Sequence, residues 1–320
     1  MTERRGSFRT VVADPNLRRV ELAFLRFNMT EFATWIASLV YAYDRGGAAA
    51  MGAVSVILLV PSAFLAPFAA YAGDRFRRDR VLALDYLVQG IAMAVTAATL
   101  YLDAAVAWVY TTAMIASISL TFTRPAQNSL LPGLTETPAD LTAANVVSGV
   151  VEGTGKMLGP IIAGILLASS GPWAVFATFA VVTLLGALLV SGLRVDVSTV
   201  TPDARIEAGD VWRETLRGFR TLRSARGPRL IVLLMSSGVI VVGALDVLFV
   251  ATAIELLDIG ASGAAFLSAA FGAGAIVGAA STVALVGRRR LTPSLAGGAL
   301  LFGAPIGLFA VAPSAVSAPV

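Results

Sequence analysis

Residues 70–80 read Ala70-Tyr-Ala-Gly-Asp-Arg-Phe-Arg-Arg-Asp-Arg80, a charged turn between two apolar runs at 48–72 and 81–102. The turn is too short to be a domain, and a spanning helix needs about 20 mostly apolar residues. The stretch is therefore read as two membrane helices joined on one side of a bilayer. Its arginines, Arg75, Arg77, Arg78 and Arg80, resist translocation and keep the turn on that side.

Outward from this turn the same pattern continues. Apolar runs long enough to span are read at 20–43, 48–72, 81–102, 105–130, 142–168, 173–193, 229–253, 263–286 and 292–312. Glu21, Arg26, Asn28, Glu31 and Arg124 interrupt the first and fourth of them. The composition agrees, with 57% of residues apolar and 14% charged. Soluble domains run to roughly 45–50% and about 25%. The fold class expected is an all-α membrane protein.

Arginine and lysine fix the expected orientation. Five lie in residues 1–19, four between the second and third spans, eight in 194–229 and three at Arg288, Arg289 and Arg290, twenty of the twenty-four in the chain. All of these belong on one side, and only Arg45 falls on the other. The amino terminus is expected in the cytoplasm and the protein in the cytoplasmic membrane. Residues 1–19 carry no apolar run ending in a small-residue cleavage site, so no signal peptide is expected.

Several function classes lose support. The chain has no cysteine and no histidine, which removes thiolate and imidazole metal sites, cysteine nucleophiles and histidine-dependent triads. No enzyme activity, metal or cofactor is expected. The net charge of +4 sits in arginines between apolar runs rather than on an aromatic-rich binding face, so no nucleic-acid partner is expected. No Gly-x-x-x-x-Gly-Lys-Ser/Thr phosphate loop occurs to drive an ATP pump, and no filter sequence marks a channel.

Residues 194–228 form the one long polar segment. Val211, Leu216, Phe219 and Leu222 recur there among Arg213, Arg217, Arg220 and Arg223. Two readings stay open, an amphipathic helix on the membrane surface and a solvated linker. Either divides the chain into a six-helix half at 1–193 and a partial half at 229–320. The arginine turn near Asp74 has a counterpart in Gly287-Arg288-Arg289-Arg290, six spans later. That offset is expected of two parallel six-helix repeats, the second ending after its third helix.

The fifth span contains Gly155-Lys-Met-Leu-Gly-Pro-Ile-Ile-Ala-Gly164. Gly155, Gly159 and Gly164 let a neighbouring backbone approach, and Pro160 bends the helix. With the turn around Gly73-Asp74-Arg75, this stretch resembles the major facilitator superfamily of secondary transporters. Asp74, Arg75 and Arg78 match the family's loop signature Gly-x-x-x-Asp-Arg-x-Gly-Arg, while Ala70 and Arg77 replace its two glycines. The fifth-span stretch is similar to the signature of the drug:proton antiporters. Arg124-Pro-Ala-Gln-Asn-Ser-Leu-Leu-Pro132 and Leu141-Thr-Ala-Ala-Asn145 resemble the enterobactin-exporter and macrolide-efflux branch, with Gln127 where that branch usually has arginine. Phe266–Gly278 in the eighth span continues the resemblance, which runs through essentially the whole chain.

The resemblance implies a major facilitator fold of twelve spans, against which nine imply a fragment. It implies a monomer in membrane lipid that exports a small amphipathic, drug-like or siderophore-like molecule by alternating access, with protons as coupling ion. A lipid or lysophospholipid flippase on the same fold, and a membrane sensor with a further carboxyl-terminal domain, are the alternatives. The loop at Asp74 would latch one conformational state.

Ionisable groups at mid-bilayer cost roughly 2.5–3.5 kcal/mol on insertion scales, so those retained face a cavity or a partner. The candidates are Arg26 and Glu31, near Asn28 and Trp35, then Asp85 with Gln89, Arg124, Glu152, Lys156 and Asp246. Glu152 and Lys156, at i and i+4, are expected to form a structural pair on one helical face, with a transport role as the other reading. Glu31 has no sequence-local partner of opposite sign, and coupling and structural roles both stay open for it. Asp85 is expected in structural pairing and Asp246 in either role. Arg124 is expected to mark a span end, with an anionic substrate as the other reading.

Overall fold

In the computed structural model, residues 13–75, 78–135, 137–191, 208–282 and 293–304 are described, and every element among them is helical. Helix α1, Pro15–Arg75, starts where the Asp14 carboxylate accepts from the backbone N–H groups of Asn16 and Leu17 at 2.7 and 2.9 Å. Proline at the first position suits a helix start, because its missing N–H has no partner there. The helix breaks at Gly46 and at Gly47, whose φ of 62° is open to glycine. The break makes two arms that return side by side. Tyr110 meets Tyr41 in the first arm, while Ser117 bonds the Leu58 carbonyl and Ser62 in the second.

The remaining helices follow in order: α2 Arg78–Tyr101, α3 Val106–Leu130, α4 Pro138–Ser169 and α5 Pro172–Ser191. After them come α6 Ala208–Ser224, α7 Arg226–Ala251, α8 Gly260–Ser281 and the short α9 Pro293–Ala304. A 3-10 turn, Leu131–Leu134, ends α3, and a π turn, Thr252–Leu256, ends α7. Thr137 caps α4 by accepting from Asp140 N at 3.1 Å.

Six of these helices are long and apolar enough to cross a membrane, the first being the bent Pro15–Ala69. Two further apolar helices, Pro172–Leu188 and Pro293–Ala304, are shorter. The spans read at 20–43 and 48–72 both fall in α1. Those at 81–102, 105–130, 142–168, 173–193, 229–253 and 263–286 overlie α2, α3, α4, α5, α7 and α8. The Arg288–Arg290 turn and the last part of the span at 292–312 lie outside the described residues.

Packing explains the glycines. Helix α4 lies between α1 and α8 and approaches each through small residues. A Cβ on Gly155 would lie 2.5 Å from Asn28 Cβ, and one on Gly159 would enter the backbone of Met29. On the α8 side, a Cβ at Gly153 would lie 2.8 Å from Ile276 N and one at Gly272 2.5 Å from Met157 N. Lipid supplies no hydrophobic drive between helices, so such close backbone contact is a main source of association. Pro160 is buried within a helix that stays continuous around it. Ala33, Ala37, Met93, Ala163, Phe176 and Phe179 fill the core between α1, α2, α4 and α5. On α7, Leu230, Leu233, Met235, Val239 and Ile240 point outward, a distribution suited to lipid.

Candidate functional site

Asn28, Glu31 and Trp35 recur along one face of α1 at i, i+3 and i+7. The α4 glycines bring Glu152 and Lys156 close to that face, and α3 delivers Arg124. The guanidinium of Arg124 sits among the three helices. Its NH2 donates to Glu31 Oε2 at 2.8 Å and to Asn28 Oδ1 at 3.3 Å, and its NH1 to Glu152 Oε1 at 3.4 Å. Lys156 Nζ lies 2.8 Å from the same Glu152 oxygen. Aromatic rings line the cations, with Phe27 5.4 Å and Phe24 5.9 Å from Arg124 and Phe32 5.2 Å from Lys156. A cation over a ring face gains from the ring quadrupole.

These four charged groups stand between packed helices, yet the side chains of Arg124, Glu31, Glu152 and Lys156 remain 37%, 30%, 30% and 22% exposed. Charges retained inside a spanning bundle face a cavity or a partner, and these four are partners of one another. Asp246 enters from α7. The buried indole N–H of Trp35 makes no hydrogen bond among the described residues, and Trp35, Lys156 and Glu31 all act on the Asp246 carboxylate.

Glu31, Arg124, Glu152, Lys156 and Asp246 thus come together, and the local pairing expected of Glu152 and Lys156 is present. Glu31 gains an ion partner from a distant helix. Arg26 and Asp85 belong elsewhere. Arg26 turns away from Glu31 to donate to the Thr183 carbonyl of α5 at 3.3 Å, with its guanidinium 4.0 Å over the Tyr86 ring. Asp85 accepts from the hydroxyls of Ser119 and Thr123 on α3 and interacts with Arg26 electrostatically. Both charges are buried between α1, α2, α3 and α5. Glu21, which interrupts the first apolar run, accepts from Ser148 of α4.

Gly186 and Tyr86 are among the residues of these clusters that carried no assignment from sequence. Gly186 leaves room for the Arg26 guanidinium, which a Cβ would overlap; its signal is a glycine inside the apolar run at 173–193. Tyr86 offers no such signal, since tyrosine is common in spans. The side chains of Asp74, Arg75 and Arg78, and of Gln127, lie outside the described residues.

A family model described as the Major Facilitator Superfamily matches residues 22–319. No curated protein matches the chain.

Proposed function

Because the chain belongs to the major facilitator superfamily and is thus a multi-pass membrane transporter, we propose that it is a secondary transporter exporting a small amphipathic molecule by proton-coupled alternating access. In this reading it crosses the cytoplasmic membrane nine times over 1–320, with its amino terminus inside. Residues 1–193 form one half, 194–228 the linker and 229–320 the start of the second half. Asp74, Arg75 and Arg78 form the conformational latch, and substrate passes between the halves.

The observation that carries the proposal is the charge count at the site. Glu31 and Glu152 balance Arg124 and Lys156, all on α1, α3 and α4. Asp246 on α7 adds a third carboxylate to two cations. Unbalanced charge is costly at membrane depth, so bringing α7 against the other three helices favours uptake of one proton. A proton bound on one side and released when α7 withdraws couples that movement to the gradient. The branch-like residues Arg124–Pro132 and Gly155–Gly164 support export of a drug-like or siderophore-like cargo.

Everted vesicles carrying the full-length product test this directly, with a panel of amphipathic dyes and chelators as probes and an inward-acid gradient as drive. Gradient-dependent accumulation is expected in wild type. Glu31→Gln is expected to bind cargo and lose that dependence. Accumulation that ignores the gradient in wild type rejects proton coupling, and a wild-type response from Glu31→Gln removes Glu31 from it.

A further inference from the structure

Helix α6 carries its apolar side chains as a strip left open on the outside of the protein. Trp212, Leu216 and Phe219, at i, i+4 and i+7, are 43%, 61% and 65% exposed. Thr215 and Leu222, next around the helix, are half-buried and face the protein. On the other border of the strip stands exposed Arg220, with exposed Arg217 beyond it, and exposed Arg223 continues the strip one turn past Phe219.

The position of this strip follows from its two attachments. The Trp212 ring meets Phe68 edge-on at 6.0 Å, and Phe68 lies at the end of the apolar stretch Pro15–Ala69. At its other end α6 passes through Ala225 directly into the spanning helix α7. The strip therefore lies where hydrocarbon gives way to water.

We propose that α6 is an anionic-lipid binding element, with Trp212, Leu216 and Phe219 seated among acyl chains and Arg217, Arg220 and Arg223 on the phosphates of acidic headgroups. Water satisfies neither half of this surface. A contiguous aromatic and aliphatic strip loses roughly 25 cal/mol for each Å² of apolar surface left in water, and neighbouring guanidinium groups repel until anions lie between them. An anionic bilayer surface satisfies both at once, through interfacial burial and charge-assisted hydrogen bonds to phosphate. The proposal needs only the membrane placement of the chain and not its transport activity.

The chain contains no cysteine, so single labels can be introduced into the full chain without background. Spin labels at Leu216→Cys, on the strip, and Thr221→Cys, on the solvent side, would be compared in nanodiscs of phosphatidylcholine alone and of phosphatidylcholine mixed with phosphatidylglycerol. In the mixed discs the label at Leu216→Cys is expected to be shielded from an aqueous nickel chelate and open to oxygen, while that at Thr221→Cys stays aqueous. Joint Arg217→Gln, Arg220→Gln and Arg223→Gln replacement should abolish that shift, and joint replacement by lysine should keep it, with circular dichroism unchanged in both. Inorganic phosphate added to phosphatidylcholine discs should not reproduce it, which separates a lipid headgroup from a free anion. Equal shielding in the two disc types, or an aqueous Leu216→Cys label in both, overturns the proposal, the second outcome marking a solvated linker or a protein-docking face.

Discussion

Arg124 NH2 and Glu31 Oε2 meet at 2.8 Å across 93 residues of sequence. This contact joins α3 to the first arm of α1. Glu152, 3.4 Å from Arg124, has Lys156 as a closer second cation, whereas Arg124 is the one ion-pair partner Glu31 has among the described residues. Replacing Arg124 therefore leaves Glu31 uncompensated and Glu152 still paired. In a double-mutant cycle, Arg124→Gln with Glu31→Gln should show a coupling in the range of about 0.5–3 kcal/mol. Partial exposure of both side chains places it toward the low end. The cycle of Arg124→Gln with Glu152→Gln should couple more weakly. Unfolding in detergent measures both, and equal couplings would contradict this division of partners.

The glycines at the two α4 contacts, one with α1 and one with α8, predict a position-dependent alanine scan. Gly159→Ala drives a methyl group into the backbone of Met29, and Gly272→Ala drives one into that of Met157. Backbone cannot rotate aside, so each should destabilise by about 1–3 kcal/mol. Gly218 in α6 has open space where its Cβ would be. Gly218→Ala should be neutral or stabilising by roughly 0.5–1 kcal/mol, because alanine restricts the unfolded chain and favours helix. Thermal unfolding in one detergent gives the ranking, and an unaffected Gly159→Ala would refute the close approach of α4 to α1.

How far the site could be read from sequence depends on the range of each contact. Glu152 and Lys156 were legible because i and i+4 are neighbours on any helix. The helical runs were legible because apolar length decides them, and Gly155 and Gly159 announced a close approach without naming α1 as the partner. Arg124 could not be assigned to Glu31, since only the tertiary fold brings residues so distant together. Arg26 is different. It lies five residues from Glu31, about 140° around a helix, so helical geometry alone already separates the two faces. The structure accordingly sends Arg26 to α5 and Tyr86 and Glu31 to Arg124.

Gly186 and Arg26 form a steric pair. The guanidinium occupies the volume a Cβ at Gly186 would take, and it is buried beside Asp85. Gly186→Ala should therefore destabilise by about 1–3 kcal/mol by overpacking. Arg26→Met should also destabilise, since it leaves the buried Asp85 carboxylate with hydroxyl partners and no cation. In the Arg26→Met background the methyl group of Gly186→Ala meets a slimmer, uncharged chain, so its added cost should shrink clearly. Strict additivity of the two changes in detergent unfolding would show that Gly186 does not serve Arg26.

Asp246 gives the sharpest test of the charge count, because it is the one site carboxylate on α7 and the one beyond the balanced set of Glu31, Glu152, Arg124 and Lys156. In wild type, α7 approaches that set most favourably when one of the three carboxylates holds a proton. Acid should therefore favour the approached state, and rising pH should weaken it. Asp246→Asn removes the extra negative charge, so the approach no longer needs a proton and should persist at every pH. Labels at Ser237→Cys on α7 and Ser169→Cys on α4, both exposed positions, report the separation by pulsed electron resonance. Wild type should show a distance distribution that lengthens as pH rises, and Asp246→Asn a short, pH-independent one. Downhill exchange of cargo should continue in the variant while gradient-driven accumulation fails, since movement and protonation are no longer linked. If Asp246→Asn retains the wild-type pH shift in distance, the proton is not taken up to balance Asp246, and the coupling assigned to this five-residue group fails with it.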